Sequence, residues 1–356
     1  MIPEKLLLER TLPPVWNPQS GDWNRRRMEI RQLLQREIYG FLPEAPERIS
    51  FTELPTEWVD TVFCAGKAPL KRIRIDLTLR GKTFSFPICA VIPKNKTNLP
   101  FFISINFRDN VPDKAMPTEE IVDNGFAVFS FCYKDVTSDD GDFENGLAAL
   151  LYEGQERTGS DCGKIALWSW AASRVMDYCR TLSCLDFEKA AVVGHSRLGK
   201  TALLTGMMDE RFRFVFSNDS GCAGAAISRG KVGETVGKIF DTFPYWFAPN
   251  YGKYSGAEEA MPFDQHFLLA ACAPRFVYVA SAEEDTWADP VSEYLSCCAA
   301  SQVYKRLGLK GFLHPDRLPA AGDVFGTGTI GYHLRSGCHY FSREDWNHFF
   351  RFMDSK

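Results

Sequence analysis

Residues 189–208 read KAAVVGHSRLGKTALLTGMM. Residues 189–193 form a short apolar run that is typical of a buried strand, and residues 201–208 have the composition of a helix. Between the two, Ser196 has a glycine two positions before it and another three positions after it. This order predicts a strand, a sharp turn that carries the serine, and a helix.

A serine in such a turn matches the nucleophile elbow of α/β-hydrolases, in which the turn raises the hydroxyl above the sheet. The backbone amides at the start of the following helix then face the place where an oxyanion forms. In the usual G-x-S-x-G motif the second glycine stands where this chain has Leu198, and here Gly199 follows one residue later. Because G-x-S also occurs in ordinary strand–turn–helix units, an acid and a histidine must support the assignment.

Apolar patterns elsewhere in the chain predict the architecture around this turn. The predicted strands are short apolar runs between turn residues, at 70–79, 84–92, 99–107, 126–132, 213–217, 275–280 and 330–335. Helical spacing of apolar residues is present at 22–39, 161–182, 263–272 and 342–353. We expect an α/β fold, a three-layer sandwich with a mostly parallel central sheet and antiparallel strands near the N-terminus.

The length and composition favour a single catalytic domain over residues 1–356. Apolar residues make up 45% of the chain and charged residues 24%, which suits one large α/β-hydrolase domain. We expect residues 1–50 to form an N-terminal helical extension. The stretches 243–262 and 314–329 are rich in proline and glycine, and we expect them to be surface insertions that shape a binding cleft.

The net charge and the cysteines indicate which partners, metals and cellular compartment to expect. A net charge of −4 gives no reason to expect nucleic acid or membrane as a partner, and the sequence has no long apolar run. The eleven cysteines form no CxxC pair and no zinc spacing, so we expect free thiols, no metal and no cofactor. We expect a monomer, cytoplasmic as the sequence is written, since it shows no signal peptide, or secreted or periplasmic if a leader was removed.

The catalytic base of an α/β-hydrolase follows the serine and the acid in chain order. His339 lies in the loop between the strand-like residues 330–335 and the last helix, where this fold places its base. The other candidates have different roles by position. We expect His333 to point into packing, His348 to be solvated or to cap its helix, and His266 to be structural.

Two carboxylates compete for the role of the acid. Asp219 follows the predicted strand 213–217, and Asp285 follows the predicted strand 275–280. Either can orient the imidazole and stabilise the imidazolium if it reaches Nδ1. We favour Asp285, because this fold usually takes its acid after the later strand. Asp219 could otherwise cap a turn beside Ser220.

Several uncommon motifs recur in the order found in one family of esterases. They are GHSRLGK (194–200), SNDSGC (217–222), VGETV (232–236), FPYWF (243–247), DQH (264–266), SAEEDTWADP (281–290), GYH (331–333), GCH (337–339) and DW (345–346). Over residues 95–354 the chain resembles carbohydrate esterase family 15, the glucuronoyl esterases, and its bacterial branch in particular. His195 stands where fungal members have a cysteine, Tyr340 where an aspartate is usual, and Ala223 where a glycine is usual.

The resemblance implies a serine esterase that cleaves esters of (4-O-methyl-)glucuronic acid, as in links between glucuronoxylan and lignin. It implies Ser196 as nucleophile, His339 as base and an acid at Asp219 or Asp285. It also implies that Arg197 stabilises the oxyanion, and that Lys200, Glu234 and Trp287 bind the sugar. The alternatives are an acetyl xylan esterase or another carbohydrate ester hydrolase and, in a different class, a non-catalytic carbohydrate-binding homologue.

Overall fold

The strands form one sheet whose central members are almost wholly apolar. The structure is a computed structural model that describes residues 2–17, 19, 21–55 and 62–356. Its strands are β1 (Arg48–Glu53), β2 (Leu70–Leu79), β3 (Lys82–Val91), β4 (Leu99–Asn106), β5 (Ala127–Cys132), β6 (Leu185–His195), β7 (Phe214–Asn218), β8 (Phe276–Ala282), β9 (Asp323–Phe325) and β10 (Ile330–Arg335).

The order of the strands confirms the expected sheet. Within the described part of the chain it is β1-β2-β3-β5-β4-β6-β7-β8-β10-β9. The neighbours from β5 through β4, β6, β7 and β8 to β10 pair in parallel. The first three strands and β9 pair antiparallel to their neighbours. The carboxyl ends of β6, β7, β8 and β10 therefore point to the same edge, which is where a ligand site of an α/β sheet lies.

Helices cover both faces of the sheet. They are α1 (Ile2–Glu9), α2 (Trp23–Leu34), α3 (Thr118–Asp123), α4 (Tyr133–Val136), α5 (Gly146–Tyr152), α6 (Lys164–Cys179), α7 (Arg197–Met208), α8 (Val236–Thr242), α9 (His266–Ala270), α10 (Pro290–Arg306) and α11 (Arg343–Asp354). Side-chain alternation divides the core. In β4, Phe101 and Ile103 belong to the larger cluster with α6 and α7, whereas Phe102 belongs to the cluster under α11.

Several predicted boundaries are wrong, including those of α6 and β6, and two of the differences have a clear physical reason. Helix α7 begins at Arg197 and not at residue 201, because the turn is confined to Ser196. Helix α9 begins at His266, three residues later than predicted. The carboxylate of Asp264 accepts hydrogen bonds from the amides of Ser228 and Arg229, which fixes the preceding segment outside the helix.

The N-terminal residues and the two insertions have local structure of their own. Residues 1–50 contain α1, α2 and a π-helical turn at Gln35–Tyr39 that ends at Gly40, but they also contain the start of β1, which is not helical. The stretch 243–262 holds three short 3₁₀ turns, and 314–329 holds β9. Their division into an extension and two surface insertions stays a prediction.

The cysteines are free, as expected. All eleven are thiols; nine are buried, Cys184 is partly buried and Cys338 is exposed. Among the helices of the described residues, none combines the length and the apolar character needed to cross a membrane.

Replacing Phe102 with alanine tests the aromatic core beneath α11. The Phe102 ring centroid lies 5.1 Å from that of Trp346, 5.2 Å from that of Phe126 and 5.7 Å from that of Phe216. We expect F102A to lower the free energy of unfolding in urea by about 3–5 kcal/mol, because the cavity cannot collapse. Val324→Ala, at an exposed edge position, is the control. An equal loss in both variants would contradict this account.

Candidate active site

The predicted site residues meet at one edge of the sheet. Ser196 follows β6, Asp219 follows β7, Asp285 follows β8 and His339 follows β10. All four line a single cavity of about 340 Å³. The cavity is also lined by the other residues that the resemblance singled out, Arg197, Lys200, Glu234 and Trp287.

The backbone at Ser196 has the strained conformation of an elbow, with φ 57° and ψ −126°. Its amide donates to the carbonyl of Asn218, 2.9 Å away. A Cβ atom at Gly194 would lie 2.1 Å from the Leu198 carbonyl oxygen, so only glycine fits under the helix start. At Gly199 a Cβ atom would lie 3.0 Å from Ser220 Cβ. The late glycine of the motif therefore serves the contact between α7 and the segment after β7.

The start of α7 provides the donors that an oxyanion needs. Arg197 is the first residue of the helix, so its amide has no acceptor within the helix. Among the described residues, the His339 ring is hydrogen-bonded to Asp285 and not to Ser196, whose partly exposed side chain lines the cavity. Hydrogen bonds of a catalytic serine are often long without substrate.

His339 is paired with Asp285. Its Nδ1 donates to Asp285 Oδ2 over 2.6 Å, which leaves Nε2 available as the base. The imidazole side chain is 43% exposed and the carboxylate is 4% exposed. Burial raises the pKa of Asp285. Its hydrogen bond to His339 and the charge of the imidazolium lower the pKa by more than burial raises it, so the pKa is below its usual value.

Asp219 lies close to this pair but has a different partner. One oxygen each from Asp219 and Asp285 and a ring nitrogen of His339 lie within 4.8 Å of one another. Asp219 Oδ2 accepts from Arg335 Nη2 at 3.3 Å, and Oδ1 is buried without a partner. Burial, aided by the charge of Glu293, raises the pKa of Asp219 well above its usual value. These three side chains are close enough together to bind a metal ion. The guanidinium of Arg335 already supplies Asp219 with a positively charged partner, which disfavours a cation there.

His195, the residue before Ser196, packs against His339. The His195 ring lies 4.4 Å from the His339 ring, centroid to centroid, at 40°. His195 Nδ1 is 2.5 Å from the acceptor Asn218 Oδ1 and therefore carries the proton. Burial first, and then the neighbouring His339, lower the pKa of His195 to about 3. A neutral ring thus supports one face of the base.

Arg197 is held by a carboxylate that the sequence did not single out. Its guanidinium forms an ion pair with Asp139 and lies 4.6 Å above the ring of Trp246. Asp139 also accepts from Trp246 Nε1 at 2.7 Å and from the Tyr133 hydroxyl at 2.7 Å. Asp139 stands in SDDGD (138–142), a stretch that looks like a solvated turn. Only the fold brings it under the cation at the start of α7.

Lys200, Glu234 and Trp287 form one connected wall of the cavity. Lys200 Nζ lies 3.8 Å from Glu234 Oε2 and donates to the Ser220 carbonyl at 2.5 Å. Trp287 Nε1 donates to Glu234 Oε1 at 3.2 Å, and the indole is 53% exposed. The wall thus presents an ammonium donor, a carboxylate acceptor and an aromatic face to the cavity.

The remaining histidines lie away from the cavity lining. His333 is buried and bonded through Nε2 to Asp345 at 2.8 Å, as expected of a packing residue. His266 is buried and contacts the Pro13 carbonyl at 3.1 Å. The expectation that His348 is solvated or capping is wrong. Its side chain is only 13% exposed, because its ring packs on that of His333 at 4.4 Å.

A buried carboxyl group supports the cavity wall from behind. Glu293 accepts hydrogen bonds from the Gly221 amide at 2.8 Å and from the Ser281 hydroxyl at 2.5 Å. Burial raises the pKa of Glu293 to about 7, although these two hydrogen bonds oppose the change. In the sequence Glu293 looks like an ordinary residue in the first turn of α10, so only its neighbours reveal it.

Glu293→Gln tests this buried carboxyl through the pH dependence of stability. Because the folded-state pKa is raised, the contribution of Glu293 to stability is fully present below its usual value of 4.5 and is lost as the pH rises through about 7. An amide does not ionise, so we expect the unfolding free energy of E293Q, relative to the wild type, to rise over this range. Urea unfolding at several pH values measures it, with the exposed Glu156→Gln as control. A pH-independent difference would contradict the raised pKa.

Comparisons with known proteins show which family of proteins the chain is similar to. Residues 75–308 match the family model described as "Glucuronyl esterase, fungi". The chain is 33% identical over 374 residues to carbohydrate esterase MZ0003 from an unknown prokaryotic organism, covering 94% of this chain and 85% of that protein. It is 27% identical over 308 residues to 4-O-methyl-glucuronoyl methylesterase 1 of Wolfiporia cocos, covering 82% of this chain and 69% of that protein.

Solved structures show the same fold. A glucuronoyl esterase from Solibacter usitatus superimposes with a TM-score of 0.87 at 32% identity, covering 97% of both chains. A promiscuous CE15 esterase from the marine bacterial metagenome superimposes with a TM-score of 0.82 at 32% identity, covering 94% of this chain and 92% of that chain. The mixed sheet with helices on both faces is thus an α/β-hydrolase fold, as the sequence predicted.

Proposed function

We propose, because this chain belongs to the glucuronoyl esterase family, that it hydrolyses esters of glucuronic acid or its 4-O-methyl derivative by way of an acyl-enzyme. Ser196 is the nucleophile, His339 the base and Asp285 the acid. The observation that carries the proposal is the shared cavity, which Lys200, Glu234 and Trp287 line together with these three residues. A hydrolytic site and a site for sugar hydroxyls therefore occupy one space.

In the first half-reaction Ser196 Oγ attacks the ester carbonyl and His339 Nε2 takes its proton. The new C–O bond turns the carbonyl oxygen into an oxyanion, which the amide and guanidinium of Arg197 stabilise. The tetrahedral intermediate then collapses: the bond to the alcohol oxygen breaks, and the imidazolium returns its proton to that oxygen. The alcohol leaves and the glucuronoyl group stays on Ser196.

In the second half-reaction water replaces the alcohol. His339 Nε2 takes a proton from the water molecule while the water oxygen attacks the acyl carbon. The same proton then goes to Ser196 Oγ as the ester bond to Ser196 breaks. The carboxylate of Asp285 stabilises the imidazolium in both halves through its 2.6 Å hydrogen bond. The products are glucuronate and the free enzyme, with the Ser196 hydroxyl restored for the next substrate.

The polar wall supports a sugar acid as the acyl group. Lys200 can donate and Glu234 can accept, which matches neighbouring hydroxyls on a pyranose ring, and the exposed Trp287 face can pack on its C–H groups. An acetyl group has none of these features. The acyl group of a uronate ester thus makes contacts that an acetyl group cannot make.

Ser196→Ala tests the proposal directly. We expect the variant to lose turnover of benzyl glucuronate by a factor of about 10⁴ or more, since the acyl-enzyme cannot form. The rate of alcohol release measures it, and a fluorophosphonate should label the wild type but not S196A. Residual turnover near the wild-type level would exclude this mechanism, and an unlabelled wild type would favour a non-catalytic carbohydrate-binding protein.

Glu234→Gln tests the sugar wall. We expect KM for benzyl glucuronate to rise about 10-fold or more, since a hydrogen bond to a charged group contributes about 1.5–3 kcal/mol. An aryl acetate is the control substrate, and its kcat/KM should change far less. If the wild type prefers the acetate and E234Q impairs both substrates equally, the enzyme is an acetyl-ester hydrolase instead.

A further inference from the structure

In the loop that carries the base, no backbone amide is found to donate to a backbone carbonyl of the described residues, and the Gly337 carbonyl accepts from the Glu284 amide at 3.0 Å. It joins β10 to α11 and places His339 in the middle of residues 336–341, with a side chain that is partly exposed. A base must be held within a fraction of an ångström of its working position. Something outside the loop therefore has to fix its conformation.

Arg335, the last residue of β10, supplies that constraint. Its side chain is buried and lies beneath the loop. Its Nη1 donates to the carbonyl of Ser336 at 2.9 Å, and its Nη2 donates to the carbonyls of Cys338 at 3.1 Å and Tyr340. The last two carbonyls belong to the residues on either side of His339. One guanidinium thus satisfies the backbone acceptors that bracket the base.

The remaining edge of the guanidinium is held by a second carboxylate. Arg335 Nε lies 3.2 Å from both oxygens of Asp345. Asp345 also accepts from the Ser342 amide at 2.7 Å as part of the capping box of α11, and from His333. The loop is thereby tied to the first turn of α11 at one end and to β10 at the other.

The same guanidinium reaches the rival acid. Its Nη2 donates to Asp219 Oδ2 at 3.3 Å, and Asp219 lies close enough to His339 and Asp285 to compete for the imidazole. Asp219 is held by its contact with Arg335, while the imidazole keeps its hydrogen bond to Asp285. Both effects favour a single pairing.

We propose that Arg335 is the positioning residue of this active site: its contacts with the flanking carbonyls and with Asp219 orient His339 so that Nδ1 pairs with Asp285. The inference rests on the proposed function, in which His339 is the base. Arg335 touches neither the substrate nor the reacting atoms and acts only through the loop and Asp219. The other ionisable groups close to it are Asp345 and, beyond the two carboxylates, His333 and Glu293.

Arg335→Lys is the decisive variant, because lysine keeps the charge but lacks the planar fork that reaches several acceptors at once. We expect kcat per active site to fall about 100-fold with little change in KM, the loss that a misplacement of about 1 Å produces. The acid limb of the kcat/KM profile should move to lower pH, because a loosened Asp285 stabilises the imidazolium less. Fluorophosphonate titration counts the active sites.

Arg343→Lys is the matched control, since Arg343 is exposed at the start of α11 and pairs with Glu120 on the surface. If R335K equals R343K in kcat per active site, or keeps the wild-type acid limb, the positioning role is overturned. A purely structural arginine would lower the number of active sites or the melting temperature and leave the pH profile in place, which also overturns the proposal.

If R335K does not fold, Asp219→Asn and Asp285→Asn in the wild-type background decide the matter. The proposal requires D285N to lose far more kcat than D219N, and an equal or larger loss in D219N overturns it. All rates are taken on whichever ester the wild type hydrolyses. Failure of the glucuronate proposal therefore appears as a changed substrate, and failure of the positioning proposal appears as equal behaviour of R335K and R343K.

Discussion

The backbone conformation of Ser196 is the constraint on which the rest of the site depends. A non-glycine residue at φ 57° and ψ −126° costs about 1–3 kcal/mol, so it persists only where the surroundings enforce it. They do so through the hydrogen bond that the Ser196 amide donates to the Asn218 carbonyl and through the close contact of Gly194 with the Leu198 carbonyl. Because the turn takes a single residue, α7 starts at once, and Arg197 and Lys200 line the cavity together with Ser196.

This geometry creates an electrostatic problem that other parts of the chain solve. A cation in the first turn of a helix is unfavourable, since the helix N-terminus already carries partial positive charge. Asp139 compensates for Arg197 by pairing with it, and it is fixed in turn by Trp246 and Tyr133. The guanidinium can therefore stay beside the nucleophile. The segments that carry Asp139 and Trp246 are far apart in the sequence, but together they compensate the charge of Arg197.

The sequence predicted those parts of the site that depend on residues close together in the chain or on the order of the strands. The strand, turn and helix around Ser196 and the loop position of His339 both follow from neighbouring residues, and the choice of Asp285 over Asp219 followed from chain order. The structure places Asp285 on Nδ1 of His339. Asp139, Glu293 and Arg335 could not be found this way. Each looks like an ordinary surface turn, helix or strand-end residue until the sheet brings distant segments together, and their roles depend on burial that no local pattern encodes. The late glycine of the elbow is a similar case, since Gly199 is explained by contact with Ser220.

The two aspartates that follow β7 and β8 have pKa values shifted in opposite directions, because their surroundings differ. Asp285 shares a hydrogen bond with a partly exposed imidazole and accepts the Ala288 amide, so its charged form is stabilised and its pKa is lowered. Asp219 is deeper, with one oxygen unpaired and Glu293 nearby, so burial raises its pKa despite Arg335. A carboxyl group that resists ionisation is a poor stabiliser of imidazolium, even at short range. The assignment of the acid therefore follows from the environment of each carboxylate and not from its distance to the base alone.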